Sequence, residues 1–315
     1  MQRPLRILTW HVHGNYLYYL TQVPHVFYLV TDQTRSTHHS GRSGTLPWGD
    51  NVHEAPVDKV REMSFDVVLY QSREAWEKER YSLLSPAQRA LPSVYVEHDP
   101  PQEHPTDTCH WAQGTNVMLV HVTPFNALMW DSGATPVSVV EHGVKPLGQA
   151  RYSGHLVRGI TVVNNLQSRG RRLGLDVYQA AARQLPLDLF GMGSLEIGGL
   201  GEVANADLPA AMAAYRFFFN PIRYTSLGLA IIEAMMVGLP VIGLATTELV
   251  SVIDSGKNGF VDTRPERLVG VMQELLQDPG LARDWGEAGR RYANVRFHIN
   301  RFVAEWEAVL TSVAR

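Results

Sequence analysis

Residues 220–262 gather side chains suited to holding a phosphorylated ligand. Thr225, Ser226 and Gly228 belong to a loop of small residues that opens straight onto an apolar run beginning at Leu229. Backbone N–H groups at the start of a helix have no intrahelical partner and carry the positive end of the helix dipole, so they can receive a phosphate or diphosphate. Gly228 would let that ligand approach the backbone closely. Glu233 follows one turn further in, among Ala230, Ile231, Ile232 and Ala234. A carboxylate on an apolar helix is costly unless it is paired or meets a ligand, and a pair of ribose hydroxyls is a suitable bidentate partner. The same residues also fit a solvated helix glutamate and a simple loop glycine.

Two other groups invite chemistry. In the run 162–177, VVNNLQSRGRRLGLDV, a strand gives way to Asn165 and then to Arg169, Arg171 and Arg172. Guanidinium groups close together beside glycines suit a diphosphate clamp, or equally a solvated loop. Arg223, just before the small-residue loop, is a further candidate. The third group is histidine-rich. The chain has 13 histidines, and all but His298 lie at or before His155, so side chains that titrate near neutral pH are concentrated in the first half. His11, His13 and Gly14 follow the first strand, where a doubly wound sheet opens its ligand crevice. His98 and Asp99 leave another strand directly, with Pro100 and Pro101 stiffening the exit. His98 also fits a histidine satisfied within a loop network. His98, Asp99, Glu103, His104, Cys109 and His110 include zinc-ligand types, but their spacing is not a compact ligand pattern and no metal is expected. Glu141 and His142 lie near a candidate linker.

These motifs resemble the donor-binding segment of GT-B glycosyltransferases, specifically the retaining family 4, or group 1. In that family an acidic residue, seven residues and a glutamate mark the donor site. Glu233 matches the second glutamate, Ser226, Leu227, Gly228, Leu229 and Ala230 occupy the loop, and the first acidic position falls on Thr225, which brings no charge. GLPVIG at 238–243, Glu248 and GKNGFV at 256–261 continue the likeness, and FGMG at 190–193, including Gly191, precedes it. The family's arginine position falls on Asn165. By this resemblance Gly14, Asn165, Arg169, Arg171, Arg172, Gly191, Arg223, Thr225, Ser226, Leu227, Gly228, Leu229 and Glu233 bind the donor. His98, with Asp99, stands at the reaction centre, and Glu248 assists near the sugar or its phosphates.

The elements that must position these groups are short parallel strands alternating with helices. Strands are expected at 6–10, 26–30, 65–70, 93–98, 118–123 and 137–141, and then at 160–166, 187–191, 217–221 and 240–245. Helices are expected at 74–83, 124–131, 174–184, 207–215, 227–237 and 299–313, with a long loop over 31–50. Thr247 is placed to cap a helix beginning at Glu248, Thr263 and Glu266 have capping-box spacing, and Gly238 before Pro240 should stop a helix. The reading is an α/β chain of GT-B fold: two doubly wound, Rossmann-like domains facing a central cleft. The domains span 1–147 on the acceptor side and 148–298 on the donor side, and an amphipathic helix at 299–315 packs back toward the first.

Composition bounds the partners. The chain has 315 residues, room for two domains. Net charge is −3, and 45 % of residues are hydrophobic against 19 % charged, so no global attraction to nucleic acid is expected. One cysteine, Cys109, allows no intrachain disulfide. No apolar run approaches the ~20 residues that span a bilayer, and a cytoplasmic protein is expected. No Asp-x-Asp triplet is present, and the first strand lacks the G-x-G-x-x-G fingerprint of dinucleotide enzymes. The resemblance implies transfer of a sugar from a nucleoside diphosphate sugar to a hydroxyl acceptor, with retention and without metal or other cofactor. The acceptor would be a carbohydrate or lipid-linked glycan, met with transient membrane-surface contact and in the service of polysaccharide or surface glycan synthesis. A GT-B nucleotide-sugar epimerase and a non-catalytic sugar-nucleotide-binding protein are the competing readings.

Overall fold

Runs such as RILT, VVLY and YRFFFN are too short for helices and too apolar for loops, and each becomes a strand buried between helical layers. The computed structural model describes residues 3–44 and 46–315; Thr45, within the loop expected at 31–50, lies outside them, as do Met1 and Gln2. The chain forms two units. The first runs up to Gly143 and includes Ile299–Arg315, and the second is Val144–His298.

In unit 1 the strands are β1 (Arg6–Thr9), β2 (Val26–Thr31), β3 (Val52–Pro56), β4 (Val67–Tyr70), β5 (Ser93–Glu97), β6 (Val117–His121) and β7 (Val137–Val139). All pair in parallel, in the order β3-β2-β1-β4-β5-β6-β7. The helices are α1 (Gly14–Leu20), α2 (Arg80–Leu83), α3 (Pro86–Arg89) and α4 (Pro124–Met129); a π-helical stretch at Ala75–Glu79 leads into α2 where one continuous helix was expected. β3 was not expected. Its sequence, VHEAP, carries His53, Glu54 and Pro56, the composition of an edge strand rather than a buried one.

Unit 2 contains β8 (Leu156–Val162), α5 (Leu166–Arg169), α6 (Leu175–Ala182), β9 (Leu187–Phe190), α7 (Leu208–Ala213), β10 (Tyr215–Asn220), α8 (Leu229–Val237), β11 (Val241–Leu244), α9 (Leu249–Val252), β12 (Gly259–Asp262), α10 (Pro265–Gln277) and α11 (Pro279–Arg296). Its strands are parallel in the order β12-β11-β10-β8-β9. The last helix, α12 (Ile299–Val313), packs on α1 and β5 of unit 1, where Phe302, Trp306 and Leu310 are fully buried.

Two local expectations are corrected. Thr247 has a left-handed φ of 50° and does not cap α9; Glu248 holds that position without a side-chain cap. The Thr263–Glu266 capping box does not form. Instead Asp262 accepts the Arg264 N–H at 2.9 Å, and Pro265 opens α10. The boundary between units falls at Gly143/Val144. A Cβ on Gly143 would come within 2.2 Å of Phe302, which belongs to unit 1, whereas the Val144 N–H already bonds Phe297 O in unit 2 at 2.9 Å. Gly238 does stop α8, at a φ of 100°.

Topology fixes where ligands can sit. In unit 1 the chain winds from β1 outward to β3 and then returns to β4 on the other side of β1. In unit 2 it passes from β8 to β9 and returns to β10 on the other side of β8. The carboxyl ends of β1 and β4, and of β8 and β10, therefore flank the switch points of the two sheets, where an open α/β sheet leaves its crevice.

Candidate functional site

The unit 2 switch point is lined by the loops after β8, β9 and β10. Asn165 follows β8 in a left-handed turn, φ 56°, and its N–H bonds Met192 O at 2.7 Å. Asparagine tolerates that conformation better than arginine does, a backbone reason for its presence there. Gly191 completes the contact: at φ 135° a Cβ would lie 2.4 Å from Val163 O, so only glycine lets the β9 loop close against the β8 loop.

The arginines divide into distinct roles. Arg171 pairs with Asp176 at 2.7 Å. Arg223 holds the same carboxylate with both guanidinium nitrogens, at 2.5 and 2.8 Å, and also donates to Arg171 O at 2.8 Å. This pairing keeps the Asp176 carboxyl below its ordinary range, with the hydrogen bond from Arg223 as the main cause. Arg171 and Arg223 thus tie the β8 loop to the β10 loop. Arg172 contributes its carbonyl to that tie, accepting the Arg223 and Tyr224 N–H groups at 3.1 and 3.3 Å. Arg172 is half-buried and makes no ion pair among the described residues. Arg169 is exposed on the same loop.

After β10, Thr225 is half-buried, and Ser226 and Leu227 are buried. The Ser226 hydroxyl is sealed from solvent without a hydrogen-bond partner among the described residues. Gly228 sits at the N-cap of α8 with φ −74° and ψ 142° and supplies no side-chain cap. No atom lies within 4 Å of where its Cβ would be. The helix therefore begins with exposed backbone at Gly228, half-buried Leu229 beside it and uncapped N–H groups. Beyond the first turn α8 is buried on all sides, and Glu233, 5 % exposed, is its one charged residue.

Glu248, at the N-cap of α9, follows Thr246, whose hydroxyl ties the chain after β11 to this loop by donating to Ile222 O at 3.0 Å. Its carboxylate is buried; it accepts from the Ser251 hydroxyl and pairs with Arg296 at 3.3 Å. The structure thus joins it to α9 and α11.

In unit 1, His98 stands at the end of β5. Its Nε2 lies 3.2 Å from Gln71 Oε1. Its ring packs on His13, 4.2 Å between centroids, and on Tyr16 at 4.6 Å; His142 also packs on Tyr16, at 5.6 Å. Burial holds His98 well below the ordinary histidine range, and His13 and His142 push in the same direction. His11 is turned elsewhere, to Gly41 O at 2.8 Å and Ser43. Gly14 opens α1, where a Cβ would press on the His11 ring at 3.1 Å. The turn bearing His98 and Asp99 rests on Glu97. That buried carboxylate accepts the Asp99 N–H at 2.9 Å and His110 Nε2–H at 3.0 Å. Since His110 Nδ1 accepts the Ala112 N–H at 3.0 Å, its hydrogen must be on Nε2. Burial raises Glu97 to about 8 and lowers His110 to about 3.

The zinc-type side chains do not converge. Cys109 Sγ donates to Asp131 at 2.9 Å, Glu103 pairs with Arg73, and no group of three or more ligand types fit for a metal occurs among the described residues. Sequence reasoning missed Gln71, Glu97, Asp176 and Arg296. The available signal was position: Gln71 and Glu97 lie at strand carboxyl ends, where side chains reach the crevice.

Residues 196–292 match the family model for glycosyl transferases group 1. The fold is shared with sucrose-phosphate synthase from Thermosynechococcus elongatus (16 % identity, 99 % of each chain, TM-score 0.72) and with Anabaena HepE, solved with UDP and glucose (14 % identity, 98 % of this chain and 100 % of that one, TM-score 0.71). It is also shared with a glycosyltransferase from Rickettsia africae (13 % identity, 100 % of each chain, TM-score 0.68). No curated protein matches the sequence. Residues 196–292 are thus similar to group 1 glycosyl transferases, and the chain as a whole shares the GT-B fold.

Proposed function

We propose that this protein transfers a sugar from a nucleoside diphosphate sugar to a hydroxyl acceptor, retaining the anomeric configuration and without a metal. The observation that carries this reading is the start of α8: an uncapped helix N-terminus left open by Gly228, with Glu233 buried one turn behind it. The diphosphate is assigned to the N–H groups at Leu229 and Ala230, the Ser226 hydroxyl and the Arg172 guanidinium, which together neutralise a departing diphosphate as a bound cation would. Glu233 is assigned to the ribose hydroxyls. Thr225 offers a sugar a hydroxyl rather than a carboxylate. In unit 1, His98 is assigned to a substrate hydroxyl. The Anabaena neighbour was solved with UDP-glucose, which makes UDP the first nucleotide to test. A carbohydrate or lipid-linked glycan acceptor, and a role in polysaccharide or surface glycan synthesis, complete the proposal. Among the described residues no helix is long and apolar enough to cross a membrane, so a lipid-linked acceptor would be met at the membrane surface.

Calorimetric titration with UDP, GDP, ADP and TDP, with NAD as control, tests the donor site. One nucleoside diphosphate should bind, and Glu233→Gln should weaken it about 10- to 100-fold, the loss of a charge-assisted bidentate hydrogen bond. Failure of all four diphosphates to bind would remove the reading. Acceptor-dependent release of nucleotide from the sugar donor separates transfer from epimerisation, which needs no acceptor.

A further inference from the structure

The hydrogen bonds around Gln71 determine which nitrogen of His98 carries the proton. Gln71 follows β4 and is buried. Its Nε2 lies 3.1 Å from Trp10 O, just after β1, and 3.3 Å from Thr9 Oγ1, at the end of β1. A carbonyl oxygen only accepts, so the nitrogen end of the amide must face Trp10 and Oε1 must face His98. Oε1 also only accepts, and the atom opposite it, at 3.2 Å, is His98 Nε2. That nitrogen therefore bears the hydrogen. A neutral imidazole has one N–H, so Nδ1 keeps its lone pair. Nδ1 has no hydrogen-bond partner among the described residues, and it is not one of the polar atoms sealed from solvent.

The surroundings favour the neutral ring. His13 and Tyr16 pack on His98 directly, His142 lies beyond Tyr16, and no carboxylate pairs with the imidazole. Of the two carboxylates that flank His98 in sequence, Glu97 is committed to the Asp99 N–H and to His110, and no ion pair joins Asp99 to the imidazole.

We propose that Gln71 is a positioning residue that locks His98 as the neutral Nε2–H tautomer, so that the ring presents Nδ1 as a hydrogen-bond acceptor to a substrate hydroxyl. This rests on the reading of His98 as a substrate-facing group. A hydroxyl can donate to that lone pair. A phosphate or departing oxygen meets electron density there, which makes His98 an orienting group for a sugar or acceptor hydroxyl and not the proton donor to the leaving group.

The test uses the full chain labelled with 15N-histidine, with His98 assigned by the signals lost in His98→Gln. Long-range 1H–15N spectra of the wild type at neutral pH should show Nε2 protonated and Nδ1 bare. In Gln71→Met the two tautomers should mix. In Gln71→Glu the new carboxylate should raise the His98 titration midpoint by about one unit or more. A purely structural role for Gln71 would lower the melting temperature and leave the tautomer unchanged. Nδ1 protonated in the wild type, or an unaltered His98 spectrum in folded Gln71→Met, overturns the proposal, and the wild-type spectrum decides the tautomer even if both variants misfold. Calorimetry on the same samples separates the two readings. An Nε2–H ring in a protein that binds no nucleoside diphosphate upholds the lock and defeats the transferase reading; an Nδ1–H ring in a protein that binds one does the reverse.

Discussion

At the scale of the residue, Gly228 is the most informative position because neither the fold nor the backbone explains it. Its φ of −74° is open to any residue, and a side chain there would touch no protein atom within 4 Å of its Cβ. Glycines kept for conformation or packing, such as Gly191 with Val163 O at 2.4 Å, behave differently. Gly228→Val should therefore fold normally, with melting within about 4 °C of wild type because an N-cap change costs only about 1 kcal/mol. It should nevertheless bind nucleoside diphosphate at least about tenfold more weakly, since the added methyls occupy the approach to the α8 N-terminus. Unchanged affinity in calorimetry would mean that the ligand lies elsewhere. Glu233 complements this position: one residue leaves space and the other brings the only charge into a helix that is otherwise apolar.

At the scale of the element, the end of β5 is held by a buried acid and a neutral histidine. The sign of its pH dependence follows from the directions of the shifts. Glu97, raised to about 8, binds a proton in the folded chain that the unfolded chain has already released above about 4.3, so its contribution is full below that pH and is lost as pH rises through 8. His110 and the fully buried His121, both lowered to about 3 by burial, act oppositely: their contributions are present above about 6.5 and are lost as pH falls toward 3. This cluster should therefore be most stabilising near pH 6.5. Thermal melts of the wild type should decline between pH 6.5 and 8.5, and Glu97→Gln, which cannot ionise, should flatten that decline. A decline of the same slope in the variant would assign it to other groups. The loops after β8 and β10 show the same economy. Asp176 engages Arg171 and Arg223 together, leaving Arg172 as the guanidinium without an ion pair among these three.

At the scale of the whole molecule, the last helix belongs to the unit built from the first residues. Phe302 and Trp306 are fully buried, Arg301 donates to Glu141 O and His142 O at 2.9 and 2.6 Å, and Phe302 fills the space left by Gly143. Phe302→Ala should cost about 3–5 kcal/mol through lost burial and the cavity left behind, and lower the unit 1 melting transition by roughly 10 °C. Scanning calorimetry checks this, and unchanged melting would remove α12 from the unit 1 core. The two sheets, each wound outward from a central strand and back, account for a chain in which every crevice loop lies at a strand carboxyl end.

The sequence by itself determined most of the parallel strand series, the amphipathic last helix and the small-residue loop that opens α8, because these depend on local periodicity and on residue types at fixed spacing. Edge strand β3 escaped because His53, Glu54 and Pro56 need satisfy only one neighbour, β2, and carry no apolar pattern. The capping roles read from Thr247 and Thr263 failed for a related reason: a cap depends on backbone angles that the neighbouring turns impose. Tertiary structure alone decided the pairings of Gln71 with His98, Asp176 with Arg223 and Glu248 with Arg296. Their members are separated by 27, 47 and 48 residues, and each meets only because parallel strands bring distant loops to one edge of a sheet, or because a late helix packs across it. Periodicity reports what a residue's own element will bury. Which charges and protons face one another is decided by how the elements come together.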